Sequence, residues 1–583
     1  MLKKRSLIFV VYLLLTIAIT YPVISNMGRY LYGPLHGTDM EASVWDFWWV
    51  KHAGDNGLSL SFCPFINYPF GVHSSSTYNI SLSINVLLLK FFNEIETANI
   101  EILLSFILSS FFVYLLVYMF TKNTLAAFLS GLIYGFCPYH FAKSWEHLSL
   151  AQTQWIPLVF IFLFKIKQTP KAVYAALLGA SLFIVGVFEY HYAIFVFLAT
   201  GLFIVYEFIY ERAKSIPALK VVFFGLVIGG CLSLLGAFSY LKQLFTISNT
   251  SEAAFTQTYV RPLSYLFAQS ARPLSYFLPA SAHPVFGNFT KSMFGTIFYG
   301  RGWIEQSLYL GWVPVLLSFV AYKTWRRRDK TKPLTNNNLA IGYFVILAIL
   351  AFLFSMPPYF NLGLFKIYFP SFFMHKFLPM LRAYARFGVM VVLAVSVLAG
   401  FGFNYILQRL RSRKMRLALS ILIISVVMFE FINIPPLRAT DVSKVPKVYE
   451  WLAKQPGDFA IVEYPLGDAT AGEASMPYNY LLWQRVHKKK LINGAKLGTP
   501  SFKIKKKINK ITDKQTPGIL KWLGAKYVIV HSDIYASGAD RSAMDVIGKV
   551  PDVRKLPGFK FVGEFANIQV YEIIAEPIEV KID

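Results

Sequence analysis

The sequence predicts a polytopic α-helical membrane protein with about 11 transmembrane helices and a C-terminal extracytoplasmic α/β domain. Three observations lead there: the composition, a series of long apolar runs, and a change of pattern near Pro435. Of the 583 residues 55% are hydrophobic and only 15% are charged, whereas soluble domains carry roughly 45–50% apolar and about 25% charged residues. Mean hydropathy is +0.49. Aromatic residues make up 17% of the chain, in keeping with Trp and Tyr lining membrane interfaces.

The apolar runs fall near 7–24, 102–121, 125–141, 155–169, 172–190, 192–210, 220–240, 306–322, 339–355, 388–407 and 417–433. About 20 apolar residues cross a bilayer as a helix. The segment 81–92 (SLSINVLLLKFF) reads as a re-entrant or interfacial helix. Basic clusters at Lys3–Arg5, Lys165/Lys167/Lys171, Arg212/Lys214/Lys220, Arg326–Arg328 and Arg409–Arg416 all fall on one side in an eleven-span count. That is the positive-inside pattern, and it places the N-terminus in the cytoplasm. It also accounts for much of the formal net charge of +26 without a nucleic-acid partner. The Lys3-Lys4-Arg5 start followed by an apolar run resembles a secretory signal, but the run is long and lacks a small-residue cleavage pattern. The expectation is an uncleaved first span in a multi-pass protein of the inner or plasma membrane. Three cysteines make neither a disulfide framework nor a metal spacing.

The domains expected are a membrane part over 1–434, with external loops at 25–80 and 241–305, and an extracytoplasmic α/β domain over 435–583. In the latter, short β-like runs (FAIVEY, YVIVH, FKFVGEF, IQVYEII) appear, and helical stretches Val445–Lys454 and Gly518–Leu523 alternate with the first two.

Ionisable groups near a bilayer are costly unless used, and five groups stand on the expected external side. Asp39 and Glu41 follow the first span, ahead of Trp45, Phe47, Trp48 and Trp49, which read as an interfacial belt. A carboxylate there suits a general base or a divalent cation. His140, Glu146 and His147 lie between the third and fourth spans, and Glu189 with His191 at the end of the fifth. The loop 241–305 repeats Arg-Pro-Leu-Ser-Tyr at Arg261 and Arg272 and leads to Glu305 and Tyr309. The stretch HKFLPMLRAYARFG holds Arg382 and Arg386, whose i, i+4 spacing puts both on one face of a helix and suits phosphate contact.

This order of features resembles the GT-C superfamily of integral-membrane glycosyltransferases that use polyprenyl-phosphate-linked sugars. "TDME" (38–41) is similar to its Asp-x-Glu motif. "NYPFGVH" (67–73), "HLSLAQTQWIPL" (147–158), "LSYFLPASAHP" (274–284), "EQSLYLGWVPVLL" (305–317) and "RAYARFG" (382–388) look like patterns of uncharacterised bacterial and archaeal members. The resemblance implies an inverting hexosyltransferase-type enzyme of cell-envelope glycan biosynthesis. Asp39 would be the general base and Glu41 would orient the acceptor or help bind a metal. Arg382 and Arg386 would neutralise the lipid phosphate, while His147, Glu189, His191 and Glu305 would contact substrate. No cofactor is obligatory: some branches use a divalent cation (Mg or Mn, held here by Asp39 and Glu41) and others none. The partners implied are a polyprenyl-phosphate sugar donor, a glycan, lipid or protein acceptor, and membrane lipids. The absence of a WWDYG-like motif argues against en bloc transfer to asparagine. Two alternatives stand beside this one: a flippase or transporter of lipid-linked saccharide, and a non-catalytic cell-envelope assembly protein. Mid-span charges and internal repeats, usual in transporters, are not seen.

Overall fold

The structure, a computed structural model, describes residues 2–35, 39–73, 85–250, 260–300, 302–328, 335–361, 363, 365–435, 437–466, 478–494, 499–537 and 550–581. The chain forms two compact units. One comprises Met1–Asn26, Asn99–Gly236 and Arg261–Ala439; the other comprises Met27–Ala98, Ala237–Val260 and Thr440–Asp583.

The first unit is helical. Its helices are α1 (Leu2–Thr20), α2 (Glu94–Thr121, of which Asn99 onward belongs to this unit), α3 (Thr124–Gly135), α4 (Pro138–Glu146), α5 (Trp155–Gln168), α6 (Ala172–Phe188), α7 (Tyr190–Glu211), α8 (Ile216–Thr250, of which the part up to Gly236 belongs to this unit), α9 (Trp312–Arg326), α10 (Asn336–Ser355), α11 (Gly388–Arg409) and α12 (Arg413–Glu430). A helix thus stands on each of the eleven apolar runs. Among the described residues, six helices are long and apolar enough to cross a membrane, or seven if the pair α3–α4, bent by 41°, is one span. The remainder fall short for plain reasons, α1 because its apolar part runs only over Arg5–Thr20. Helix α9 has 15 residues and α6 has 17, about 23–26 Å against a hydrocarbon core of about 30 Å. Helix α12 carries Arg413, Lys414, Arg416 and Glu430.

Side-chain contacts show how these helices alternate. The Arg5 guanidinium at the start of α1 lies 5.6 Å from the ring centre of Tyr118 near the end of α2. Asn123, which caps α3, donates to Asn404 near the end of α11 at 3.0 Å. Lys167 at the end of α5 pairs with Glu207 and Glu211 at the end of α7. Helix ends that carry basic residues therefore meet one another. At an opposite end, the Glu430 carboxylate closing α12 accepts from the backbone N–H groups of Trp312 (2.8 Å) and Val313 (3.2 Å), capping α9. An anion there also meets the positive end of the helix dipole.

Helix α11 is the axis of this unit, its residues buried almost throughout, with α9, α10 and α3 packed on it. Small residues let the backbones approach. A Cβ on Gly402 would run into the Leu317 carbonyl oxygen of α9, and one on Gly400 into the Ser130 hydroxyl of α3.

The second unit is built on a five-stranded sheet of order β4-β5-β3-β1-β2, from β1 (Ala460–Tyr464), β2 (Lys490–Leu491), β3 (Ala525–His531), β4 (Phe559–Phe565) and β5 (Ile568–Ile573). Strands β2, β1 and β3 are parallel, while β5 and β4 add on antiparallel. All five residues of β1 are buried, as expected of a parallel strand covered on both faces. One of them is Glu463, whose carboxylate accepts from the Tyr449 hydroxyl and lies against His531 Nε2, both at 2.7 Å.

The first loop belongs to this second unit. Helix Asp39–Asp55 packs on helix Tyr478–His487, and Trp45 Nε1 donates to Gln484 Oε1 at 2.7 Å. Backbone bonds from Asn67 to Asn493 and from Tyr68 to Leu491 (both 2.9 Å) continue the join. Trp45, Phe47, Trp48 and Trp49 are accordingly buried to 6% exposure or less. They are core residues of this unit, where the sequence had suggested an interfacial belt. Aromatic anchors and core aromatics share composition, and only the partner helix, over 400 residues away, separates them. Of the segment 81–92, residues 85–89 are helical and 81–84 lie outside the described residues.

Placing a β-branched side chain at the α9–α11 approach is expected to separate the helices. Gly402→Val should lose about 1–3 kcal/mol, the usual cost of overpacking, read as a lower melting temperature in detergent, while Gly201→Ala on α7, where an added Cβ would meet nothing within 4 Å, should not.

Candidate active site

The first unit brings a chain of charged groups together where α7 and α11 begin. It starts with local folding. Glu189 is extended (φ −152°, ψ 110°), ending α6 and opening α7 as its N-cap. Its side chain accepts from the His191 backbone N–H at 3.1 Å and from the Ser149 hydroxyl at 3.2 Å. A carboxylate at a helix start satisfies an orphan donor and meets the helix dipole. The same carboxylate oxygen lies 2.5 Å from His191 Nδ1.

Arg386 arrives from another direction. The chain from Pro379 to Ala383 is not helical; Tyr384–Phe387 forms a 3₁₀ turn, and α11 begins only at Gly388. The expectation that Arg382 and Arg386 share one α-helical face is therefore corrected. Ala385 N–H is engaged by the Gln269 carbonyl at 3.0 Å, which holds this turn outside the regular helix. Arg386 donates through Nε and Nη2 to Glu305 Oε1 at 3.3 and 3.2 Å, and its Nη1 lies 3.3 Å from His191 Nδ1. The other oxygen of Glu305 is 2.7 Å from the Lys143 ammonium. The connected order is Lys143, Glu305, Arg386, His191, Glu189.

Charges at this depth persist only when paired. Burial works to raise the Glu305 carboxyl, yet Lys143 and Arg386 outweigh it and hold the group down at about 2; the His147 ring adds a smaller contribution in the same sense. Tyrosines enclose the chain: Tyr139 and Tyr192 share a hydroxyl contact of 2.9 Å, and Tyr192 donates to the Leu150 carbonyl at 2.8 Å. Phe195 stacks on Phe387 with ring centres 3.7 Å apart, tying α7 to the turn that carries Arg386.

His191 holds one atom in an unusual state. Glu189 Oε1 can only accept, so the hydrogen-bond network assigns the proton to Nδ1. Nε2 is buried and makes no hydrogen bond among the described residues. A buried polar atom left unmatched costs about 1–3 kcal/mol.

Of the site residues expected from sequence, Glu189, His191, Glu305 and Arg386 are in contact. His147 and Arg382 lie at electrostatic range, of Glu305 and His191 respectively. Asp39 and Glu41 belong to the other unit, in the first turn of helix Asp39–Asp55, with Asp39 exposed and Glu41 wholly buried. Residues two apart on a helix point to different faces. A single cation held by both does not fit this arrangement. Among the described residues no three His, Cys, Asp or Glu side chains gather as a metal site. Sequence reasoning missed Lys143, passing over it for its neighbours His140, Glu146 and His147. The signal was present: a lysine between the third and fourth apolar runs, in a loop the sequence reading expects on the external side, where the positive-inside trend disfavours one.

Known structures share this fold. The arabinofuranosyltransferase AftD from Mycobacteria superposes at a TM-score of 0.53 with 12% identity, over 99% of this chain and 42% of that one. The oligosaccharyltransferase AglB from Archaeoglobus fulgidus, determined with an inhibitory peptide and a dolichol-phosphate, gives 0.51 and 11%, over 98% of this chain and 74% of that one. The chain thus spans less than half the length of AftD. At these identities the likenesses define a shared fold, the GT-C fold of these two glycosyltransferases. Within it, the chain belongs to the DUF6311 family, described as a domain of unknown function, whose model matches residues 53–429. The matched region contains Lys143, Glu189, His191, Glu305, Arg382 and Arg386, and starts after Asp39 and Glu41. No curated protein matches the chain.

Removing the central anion should be expensive. Glu305→Gln leaves Lys143 and Arg386 buried beside a neutral amide and is expected to cost about 3–5 kcal/mol, as breaking buried pairs does, seen as a lower melting temperature. A pH series checks the cause. With a folded value of about 2 and an ordinary value of 4.5, the unfolded chain binds the extra proton between them. The contribution of Glu305 is therefore complete above about pH 4.5 and lost as pH falls toward 2. Wild type should lose stability across that window more steeply than Glu305→Gln.

Proposed function

We propose that this protein is a membrane glycosyltransferase that moves a sugar from a polyprenyl-phosphate donor to an acceptor hydroxyl on the extracytoplasmic face. The observation that carries the reading is the buried Lys143–Glu305–Arg386–His191–Glu189 chain, set in a GT-C fold at helix starts rather than at the ends where basic residues gather. In this reading all eleven apolar helices cross or enter the membrane, the N-terminus is cytoplasmic, and the second unit is extracytoplasmic.

The chemistry is a single displacement. The acceptor oxygen attacks the anomeric carbon, the bond from that carbon to the phosphate oxygen breaks, and the lipid phosphate leaves with the electron pair. Asp39 takes the acceptor proton, and its exposure at the first turn of its helix suits an encounter with an incoming hydroxyl. Glu41, enclosed in the second unit, supports that turn. Arg386 and Arg382 neutralise the phosphate as its charge develops, a contribution that grows where water is excluded. Glu305 and Lys143 set the position of Arg386, since two of its three guanidinium nitrogens are spent on Glu305.

Asp39→Asn in the purified full-length protein, supplied with a panel of polyprenyl-phosphate sugars, is expected to lower transfer by about 10²–10⁴-fold, the usual worth of a general base, with the melting temperature unchanged. Transfer that survives in the variant would remove Asp39 from this role. Donor translocation in liposomes without transfer to any acceptor would favour a flippase instead.

A further inference from the structure

The unmatched nitrogen of His191 carries a more specific statement about the substrate, one that rests on the glycosyl-transfer reading above. Its ring is hydrogen-bonded through Nδ1 and not through Nε2 among the described residues. Glu189 Oε1, at 2.5 Å, takes the Nδ1 proton, and Glu189 is itself fixed by Ser149 and by the start of α7. Because Nδ1 already donates to Glu189, the Arg386 Nη1 group at 3.3 Å cannot also bond to it and acts as a neighbouring positive charge. A cation against the ring opposes a second proton there. The ring is thus a neutral imidazole with a lone pair on Nε2, and that atom is enclosed without a partner among the described residues. Tyr190 packs on the ring, centres 4.0 Å apart, so the ring orientation is set from the remaining side as well.

A neutral Nε2 can only accept a hydrogen bond. An anion is excluded as its partner, because it would present another lone pair. The complement is a hydroxyl. Position narrows the choice further. Arg386 is the arginine nearest the ring, and a phosphate on its guanidinium would place the sugar bonded to that phosphate directly beside His191. The hydroxyl next to the anomeric carbon is the one within reach.

We propose that His191 Nε2 accepts a hydrogen bond from the C2 hydroxyl of the donor sugar, with Glu189 holding the ring in the required tautomer. His191 is then a specificity-determining residue for the sugar, separate from recognition of the lipid phosphate.

Three full-length proteins in nanodiscs test this: wild type, His191→Asn and His191→Gln. Asparagine retains a donor toward Glu189 and lacks the distal acceptor, whereas glutamine restores an acceptor near Nε2. The probes are undecaprenyl phosphate, undecaprenyl-phosphate glucose and its 2-deoxy analogue, together with the corresponding mannose and arabinofuranose donors. Undecaprenyl phosphate should bind all three proteins alike. At least one sugar-bearing donor should bind wild type about 10-fold or more tighter than bare undecaprenyl phosphate. His191→Asn should lose that advantage and His191→Gln should recover part of it. The 2-deoxy donor should be weakened on wild type but no worse than its parent on His191→Asn. An advantage that survives in His191→Asn overturns the inference and leaves the transferase reading intact. Equal loss of bare undecaprenyl phosphate in His191→Asn overturns it by making His191 a phosphate or packing residue. A sugar advantage that appears only with added Mn²⁺ and disappears in the variant overturns it by making Nε2 a metal ligand. No sugar advantage for any donor on wild type overturns both.

Discussion

One carboxylate between two buried cations holds together the end of the helical unit where α7 and α11 begin. Glu305 gives one oxygen to Arg386 and the other to Lys143, and those three residues come from three separate stretches of chain. Without the shared anion, two like charges would face each other in a medium that screens them poorly. The arrangement is costly to desolvate and strong once complete, so it specifies which segments meet more than it adds net stability. The 3₁₀ turn before α11, the break between α6 and α7 and the bent α3–α4 pair can all be read as ways of bringing polar side chains to that meeting point.

The rest of the helical unit is arranged so that this end is set apart. Basic side chains gather where α1, α5, α7 and α11 carry their flanking charges, and their partners there are Tyr118, Glu207 and Glu211. The ends at which α7 and α11 begin instead hold a balanced set, two acids against Lys143 and Arg386 with a neutral imidazole between. Balance permits burial. On the proposed reading, an anion entering here meets groups already partly committed, which favours a ligand that offers donors as well as charge, as a sugar phosphate does.

The second unit shows how misleading local composition can be. WDFWW after a first span has every compositional mark of a membrane belt, yet these rings pack on helix Tyr478–His487 and Trp45 bonds to Gln484. The strand AIVEY hides an acid, Glu463, satisfied by Tyr449 and His531. In both cases the matching group lies far along the chain or on another element, so no window of sequence contains the answer.

What the sequence alone determined is the part set by local periodicity and composition. Its apolar runs all became helices, its alternating runs became strands of the sheet, and its acids, histidines and Arg386 identified the segments that carry the charged chain. These are properties of consecutive residues, and hydrophobicity and hydrogen-bonding period act at that range. Tertiary structure alone decided which groups touch. It added Lys143, which no motif marked. It took Arg386 off a helical face and put it on a 3₁₀ turn, because Gln269 engages the backbone there. It also assigned the stretch holding Asp39 and Glu41 to the unit built by the C-terminal segment, through backbone bonds between residues 65–68 and residues 491 and 493, at and just beyond strand β2. Pairing energies of this kind depend on distance in space, and a chain of 583 residues does not write those distances in its order.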